Sequence, residues 1–587
     1  MDASSNVEAA TLLELPDELL ETIIQYLGPT DTVALGRTCK HGHKVTSSSL
    51  IWRRHCMETW KRWDKRHELE EKLALPPPQI DWSQLFTERS RNDREMLHIF
   101  NDLLSTQRCR YQRMEQIATR GLDAVDFLAD LENHTPDSAA DVLARRFFAR
   151  AVLGQIRRGR ALDIWMRLGR GGQVSLEESL SAYDLFVAAE DSLDGDDLSS
   201  RLDAAANRIR TSRGPGEFDQ LPVRQKALLV AEFLRASGLV GMPNESHYHA
   251  LQNNFLHTAF TENSSLPLQS AAIYCAVAQR LGIDAEPSNY PQHVYVGIRL
   301  PQDQTSDGEG PAQSEDNYMY LDPWRSSEEV ETDQLHLRLA QMGVPREEHS
   351  QYLGPAPVLE MTLRTGRNIM VSVEEARHRA SGEPMSVDLE AAWYSMLWVM
   401  VLLGDVDDRA AFVRRRQFIP YLVQHFQSHS PEDIHLMSLV PALFEIQREH
   451  LVLVEMLRVS RDADVAELIP KPRNATNAGL QYKIGQYFRH KRYGYDGFVI
   501  GWDAHCAASS GWISEMRVDD LSRGRGQPFY NIVADDKSTR YVAEENIQIL
   551  LEEPPATLVD MAGRYFKRWN SDEMKFESNM LDEYPDD

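Results

Sequence analysis

Cysteine is scarce: 587 residues hold five, at positions 39, 56, 109, 275 and 506, and none stands in C-x-x-C spacing. Such scatter indicates neither a disulfide framework nor a thiolate zinc site. The histidines supply no ready substitute. His247-x-His249 with His257 lacks a cysteine or acidic partner to complete a ligand set, so no metal and no cofactor is expected. Long apolar runs are missing as well. The most apolar stretch, residues 391–403 (AAWYSMLWVMVLL), is too short to cross a bilayer and reads as a core helix. The opening MDASSNVEAA is polar and acidic, unlike a secretory leader. Without secretion, the glycosylation sequons at Asn244, Asn263 and Asn474 carry no meaning, and a cytoplasmic or nuclear protein with no membrane partner is expected. Positive charge is also in deficit: 63 Lys and Arg against 89 Asp and Glu leave a net charge of -26. A polyanion would be repelled along most of that surface, which argues against a general nucleic-acid binder.

What is present is ordinary for globular protein: 42% apolar and 26% charged residues. The length calls for three or four domains. Residues 58–170 are helical in character, with aromatic anchors at Trp60, Trp63, Trp82 and Phe86 and a stiff break at Pro76-Pro77-Pro78. The arginines at 145, 146, 150, 157, 158 and 160 are expected on a solvated helix face. Residues 421–470 extend the helical pattern with no site apparent, and the segment from Lys471 is a linker by composition. Gln302 to Asn317 is a polar inserted loop. Residues 572–587 hold seven acidic residues and one lysine, the composition of a solvated acidic tail.

Residues 12–57 begin with Leu15-Pro16, acidic Asp17 and Glu18, and then Leu19, Leu20, Ile23, Ile24 and Leu27 at helical spacing. Proline and acids suit a helix start, and Gly28-Pro29 reads as its stop. A second short helix is expected from Asp31, then Cys39, a polar loop, and Ile51-Trp52. Some forty-five residues bury too little apolar surface to be robust alone. This pattern resembles an F-box, the module that inserts into the adaptor subunit of a cullin-RING (SCF) ubiquitin ligase. The resemblance makes Leu15, Pro16, Leu19, Leu20, Ile23, Leu27, Leu35 and Trp52 the candidates for adaptor docking or for the small core that shapes it.

Within residues 171–420, a small-residue helix over 268–281 ends at Gly282. Val294 to Ile298 then alternates as a strand behind His293, and Tyr318 to Leu321 makes another that ends in Asp322-Pro323-Trp324. A helix followed by strands carrying His and then Asp resembles the papain-like α+β core of transglutaminase-like proteins, closest to their SirB-type branch. The resemblance implies a nucleophile at the helix start, and that position holds Pro267. Cys275 lies two turns further on among alanines and reads as a small buried hydrophobe. No catalytic residue is expected. His293 and Asp322 remain as a relic pair whose plain role is to hold strands together.

From Tyr482 the period changes to two, with Gly485, Gly494, Gly497 and Gly501 at the bends, so a small SH3-like β-barrel is expected. GQYFRHKRYGY from Gly485, Gly501-Trp502-Asp503, Arg523-Gly-Arg525 and Gln527-Pro528-Phe529-Tyr530 resemble the YccV family, also called the hemimethylated-DNA-binding domain, over residues 478–552. By that resemblance Arg489, His490, Arg492, Tyr493, Tyr495, Arg523 and Arg525 are candidate ligand or DNA contacts. Nine basic and nine acidic side chains over residues 478–551 leave no net field for DNA, so protein recognition is the favoured reading.

The sequence therefore describes a multidomain α+β chain: F-box helices, a mostly helical middle holding a transglutaminase-like core, and a C-terminal barrel. In that order the domains look like a substrate-recognition subunit of an SCF ligase, non-catalytic, whose partners are the adaptor, through it the cullin, and a substrate protein. The alternatives are a DNA-binding regulator acting through the barrel and, behind it, a thiol hydrolase.

Overall fold

The structure, a computed structural model, describes residues 15–187, 195–212, 214, 216–242, 248–301, 318–378, 386–445, 447–474 and 479–587. His247, the sequon at Asn244, the 302–317 loop and the first three residues of the F-box pattern lie outside that set. The chain forms two compact units, one of residues 1–156 with 458–587 and the other of residues 157–457.

The first unit opens with four short helices, α1 (Asp17–Ile24), α2 (Pro29–Gly36), α3 (Lys40–Thr46) and α4 (Ser49–Thr59). Pro16 is the N-cap of α1, as the Leu-Pro pair suggests. Gly28-Pro29 acts differently from expectation. Helix α1 already ends at Ile24, and Gly28 and Pro29 are the N-cap and first residue of α2. The polar loop after Cys39 is in fact α3, whose first turn is satisfied by the Cys39 thiol accepting from the Gly42 amide at 3.2 Å. One face of the four helices buries Leu20, Ile24, Val45 and Ile51, with Leu15, Leu27 and Leu35 packed against them. Each fully buried side chain of that size is worth roughly 1.5–3 kcal/mol. A second cluster of Trp60, Trp63, Trp82 and Leu85 continues the core, and Trp52 and Phe86 flank it. Arg89, fully buried, lies 4.8 Å from the Trp63 ring and pairs with Asp123, so its charge is compensated on the spot.

The second unit holds an antiparallel sheet of β1 (Ala285–Pro287), β2 (Val296–Arg299), β3 (Tyr318–Leu321) and β4 (Glu329–Val330), in that order. Helix Pro267–Arg280 packs against it with twelve of its fourteen residues buried, which only a run of Ala, Ser and small apolar residues permits. Helix Leu389–Leu402 is the expected core helix, ten of its residues buried. Helix Arg409–His429 follows and runs across the domain boundary drawn at 420/421. The arginine-rich stretch is not a solvated face. Arg145, Arg146 and Arg150 pair with Asp141, Asp137 and Glu132 in the first unit, and in the second Arg158 pairs with the buried Asp433 at 2.7 Å.

The chain then returns to the first unit and forms β5 (Tyr487–His490), β6 (Asp496–Asp503), β7 (Phe529–Ala534), β8 (Thr539–Ala543) and β9 (Ile547–Ile549). The sheet order β8-β7-β6-β5-β9, with a 3-10 turn before the last strand, wraps it into the expected SH3-like form. Its core joins Tyr487, Phe488, Phe498, Trp502, Tyr530 and Ile547.

The acidic end of the chain departs most from expectation. Strands β10 (Phe566–Asn570) and β11 (Lys575–Ser578) form an antiparallel hairpin, and Phe566, Phe576, Met580 and Tyr584 are buried in the barrel's own core. The acids are consumed in pairing: Glu577 with Arg568, Glu573 with Lys575, Glu583 with Lys471. Asp587 receives the Arg473 guanidinium at 2.7 Å and the Trp502 indole N–H at 2.9 Å. Phe576, Met580 and Tyr584, spaced four apart, outweigh the charge count because their burial requires the segment to lie on the protein.

Candidate functional sites

The F-box candidates divide into two faces. Leu20 is fully buried, Leu15, Leu27 and Leu35 are partly buried beside it, and Trp52 packs on Phe86 with its indole N–H donating to the Thr46 carbonyl at 2.8 Å. These five shape the module. Pro16, Leu19 and Ile23 lie on the opposite side, exposed, with Leu19 at 52%. Sequence reasoning passed over Tyr26, 87% exposed, and Val33, 38% exposed. Tyr26, in the turn just after α1, falls three residues after Ile23 and seven after Leu19, so it continues the spacing of the outer stripe. An apolar stripe turned to solvent beside a separate, complete core is what a docking surface requires. At the start of the stripe, Asp17 is held below the usual carboxylate range by Lys44 at 2.9 Å.

In the transglutaminase-like region Pro267 is the first residue of its helix, behind the N-cap Leu266. The position expected to carry a nucleophile thus presents no thiol or hydroxyl. His293 precedes β2, which starts at Val296 rather than Val294, and follows Gln292 in the left-handed region at φ +65°. Its Nε2 lies 2.8 Å from an Asp322 carboxylate oxygen, and the aspartate is fixed by the Arg325 amide. Trp324 stands 6.2 Å from the His293 ring and donates to the Ser265 carbonyl at 2.8 Å, tying the helix start to the strand end. The nearby Ser265 and Ser270 hydroxyls are engaged with each other at 2.7 Å. Cys275 is buried, and burial pushes its thiol far above the ordinary range. The imidazole and carboxylate are brought together, while Pro267, at the expected nucleophile position, supplies neither thiol nor hydroxyl. Of the histidines weighed as ligands, His257 pairs with buried Asp184 at 3.1 Å and His249 faces Glu375 at 3.7 Å.

The barrel brings together four of its seven candidates. His490, Arg492, Tyr493 and Tyr495 line a cleft of about 540 Å³, joined by Trp512, Phe529 and Tyr541 from the other side. His490 is buried, with its ring 4.8 Å from Tyr493 and 4.9 Å from Tyr495, and Arg540 lies over Tyr495 at 4.2 Å. The other three arginines are occupied. Arg489 pairs bidentately with Asp496, Arg525 with Asp519, and Arg523 with the buried Glu544, which also accepts from the Tyr530 hydroxyl. Trp512, Phe529 and Tyr541 were not among the expected contacts, although Phe529 and Tyr541 stand in the words that resemble the YccV family; Trp512 lies outside them.

Comparison with known proteins gives three domain matches: an F-box-like family model over residues 12–58, a transglutaminase-like superfamily model over 196–367, and one described as hemimethylated DNA-binding protein YccV like over 480–573. The last reaches into the β10–β11 hairpin, in keeping with its packing. F-box only protein 21 of Mus musculus is 22% identical over 98% of this chain and 92% of its own, and that of Homo sapiens 21% over the same shares. The chain is similar to F-box only protein 21 from end to end. F-box only protein 24 of Homo sapiens is 49% identical over 41 residues, 7% of each chain. No solved structure matches. Along the chain the F-box-like, transglutaminase-like and YccV-like matches follow in that order. Among the described residues, no helix is long and apolar enough to cross a membrane.

Proposed function

We propose that the chain is the substrate-recognition subunit of an SCF ubiquitin ligase, docking on the adaptor through the exposed stripe of α1 and presenting a substrate protein through its later domains. The observation that carries this reading is the division of the F-box candidates. Leu20, Ile24, Val45 and Ile51 complete a small core, while Leu19 and Ile23 on the outer side of α1, and Tyr26 in the turn after it, remain in solvent. Nothing in that core needs the outer stripe, so the stripe is available to a partner. The chain is read as non-catalytic because Pro267 occupies the helix start opposite the His293–Asp322 pair. For the barrel, protein recognition is favoured over DNA: its cleft is aromatic, and three of its arginines are already held by carboxylates.

The test is Leu19→Asp with Ile23→Asp in the full chain, scored by co-purification with the adaptor and cullin. Because both side chains are exposed, the thermal transition is expected to stay within about 1 kcal/mol of wild type, while adaptor recovery falls at least tenfold. Undiminished recovery would reject the docking surface. Leu15 is less suitable for such a test because it packs against the core and its loss would confuse docking with folding.

A further inference from the structure

The helical stretch at 385–460, in which the sequence shows no site, brings Glu390, His425 and His429 together so that one ligand atom from each lies within 4.8 Å of the others. Glu390 stands in the first turn of helix Leu389–Leu402, and the histidines, four apart, share one face of the last turns of helix Arg409–His429. The H-x-x-x-H spacing is visible in the sequence; the carboxylate that completes it comes from the neighbouring helix. We propose that this cluster is a binding site for one divalent transition-metal ion of zinc type, with two imidazoles and a carboxylate as protein ligands.

Two observations support the assignment. The cluster lines a cavity of about 510 Å³ with Trp393 and Tyr421, so an ion held there keeps an open position for water or a ligand. His425 is 95% buried, and its Nδ1 faces the Glu390 carboxylate at 3.6 Å. Its ring stacks with Tyr394 at 4.4 Å and with His429 at 4.7 Å, so binding requires the exposed His429 to swing out of that stack.

The carboxylate is oriented for the role. Glu390 Oε1 accepts from Arg377 at 2.8 Å, and its other oxygen faces His425 Nδ1 at 3.6 Å. An oriented carboxylate with one oxygen free is the second-sphere arrangement that metal ligands use. A tetrahedral ion at about 2.0–2.1 Å from each ligand needs them about 3.4 Å apart, so the cluster must close by roughly 1 Å. His429 is exposed and free to supply that movement.

The experiment uses the full chain stripped with chelator and titrated with Zn²⁺, and separately with Co²⁺ for its visible spectrum. One ion per chain is expected, with the intense d–d absorption of a four-coordinate nitrogen and oxygen site, together with a rise in the melting temperature. His429→Ala and Glu390→Gln are each expected to weaken binding at least tenfold and to abolish that rise, with metal-free melting unchanged for His429→Ala. His98→Ala, at an exposed helical His98–Asp102 pair, is expected to change neither. Absence of a bound ion, or an ion held equally by wild type and by both ligand variants, would overturn the assignment.

Discussion

His490 is the residue on which the barrel cleft turns. Its Nδ1 accepts the backbone N–H groups of Arg492 and Tyr493 at 3.2 and 3.1 Å, so the turn carrying both candidate contacts is written on a neutral imidazole. Burial, with Arg540 and Arg492 nearby, lowers its pKa from the ordinary value. The unfolded chain takes up a proton as pH falls through about 6.5, and the folded barrel resists it. The stability contributed is therefore complete above that pH and is lost as pH drops below it. The protection of the β5 amides relative to their intrinsic exchange rates is expected to fall between pH 7.5 and 5.5, an acceleration over the intrinsic slowing in that range. In His490→Gln, whose side chain does not titrate, that extra acceleration should disappear. Equal pH responses in the two chains would place the sensitivity elsewhere. A second residue fixes the other side of the barrel. Gly485 has φ +88°, and a β-carbon there would lie 2.2 Å from the Phe576 carbonyl oxygen in β11. Gly485→Ala combines a left-handed penalty of about 1–2 kcal/mol with a backbone clash, so denaturant melts should show a loss above about 2 kcal/mol.

At the scale of elements, the β10–β11 hairpin and the turns after it are structural parts of the barrel. Removing residues 572–587 takes away Phe576, Met580 and Tyr584 and leaves Arg473 and the Trp502 indole without the Asp587 carboxylate. Three buried side chains alone are worth roughly 5–8 kcal/mol, enough to unfold a domain of ordinary stability. The shortened chain is expected to lose the barrel's cooperative transition and to become protease-sensitive there; a solvated tail would be removed at no cost, and an unchanged melt would restore that reading. This hairpin also marks the limit of legibility. Elements with a strong period or composition were readable: the stripe of α1, the alanine-rich helix behind Pro267, the core helix Leu389–Leu402 and the strands around Gly497. Charge and polarity misled wherever pairing partners lay far along the chain. Asp587 meets Arg473 and Arg158 meets Asp433, and no local window shows such partners. The same holds for the sites. Pro267 was legible at the expected nucleophile position through the family resemblance, whereas the division of α1 into a buried and an exposed stripe, and the convergence of Glu390 on His425, depend on what packs alongside.

For the whole molecule, the net charge of -26 sets a background against which any polyanion must bind. Affinity for DNA comes chiefly from cations that neutralise phosphates and release counterions. On the barrel, Arg489, Arg523 and Arg525 would each have to abandon a carboxylate at 2.5–2.8 Å before meeting a phosphate. For Arg523 the carboxylate left behind is Glu544, which is buried, so the exchange strands a charge away from water. Arg492 alone among the cleft arginines carries no ion pair within the described residues, and it lies over the Tyr493 ring. One unpaired arginine gives a salt dependence close to a single phosphate contact, far short of the six to ten that specific binders use. The full chain is therefore expected to show no shift of hemimethylated duplex at physiological salt and at most a weak one at low salt. In contrast, Arg492→Ala and Tyr493→Ala should reduce capture of a substrate protein while leaving adaptor binding intact, because cleft and α1 stripe use different residues. A tight duplex shift with a steep salt slope, abolished by Arg492→Ala, would assign the cleft to DNA and leave substrate capture to the remaining domains.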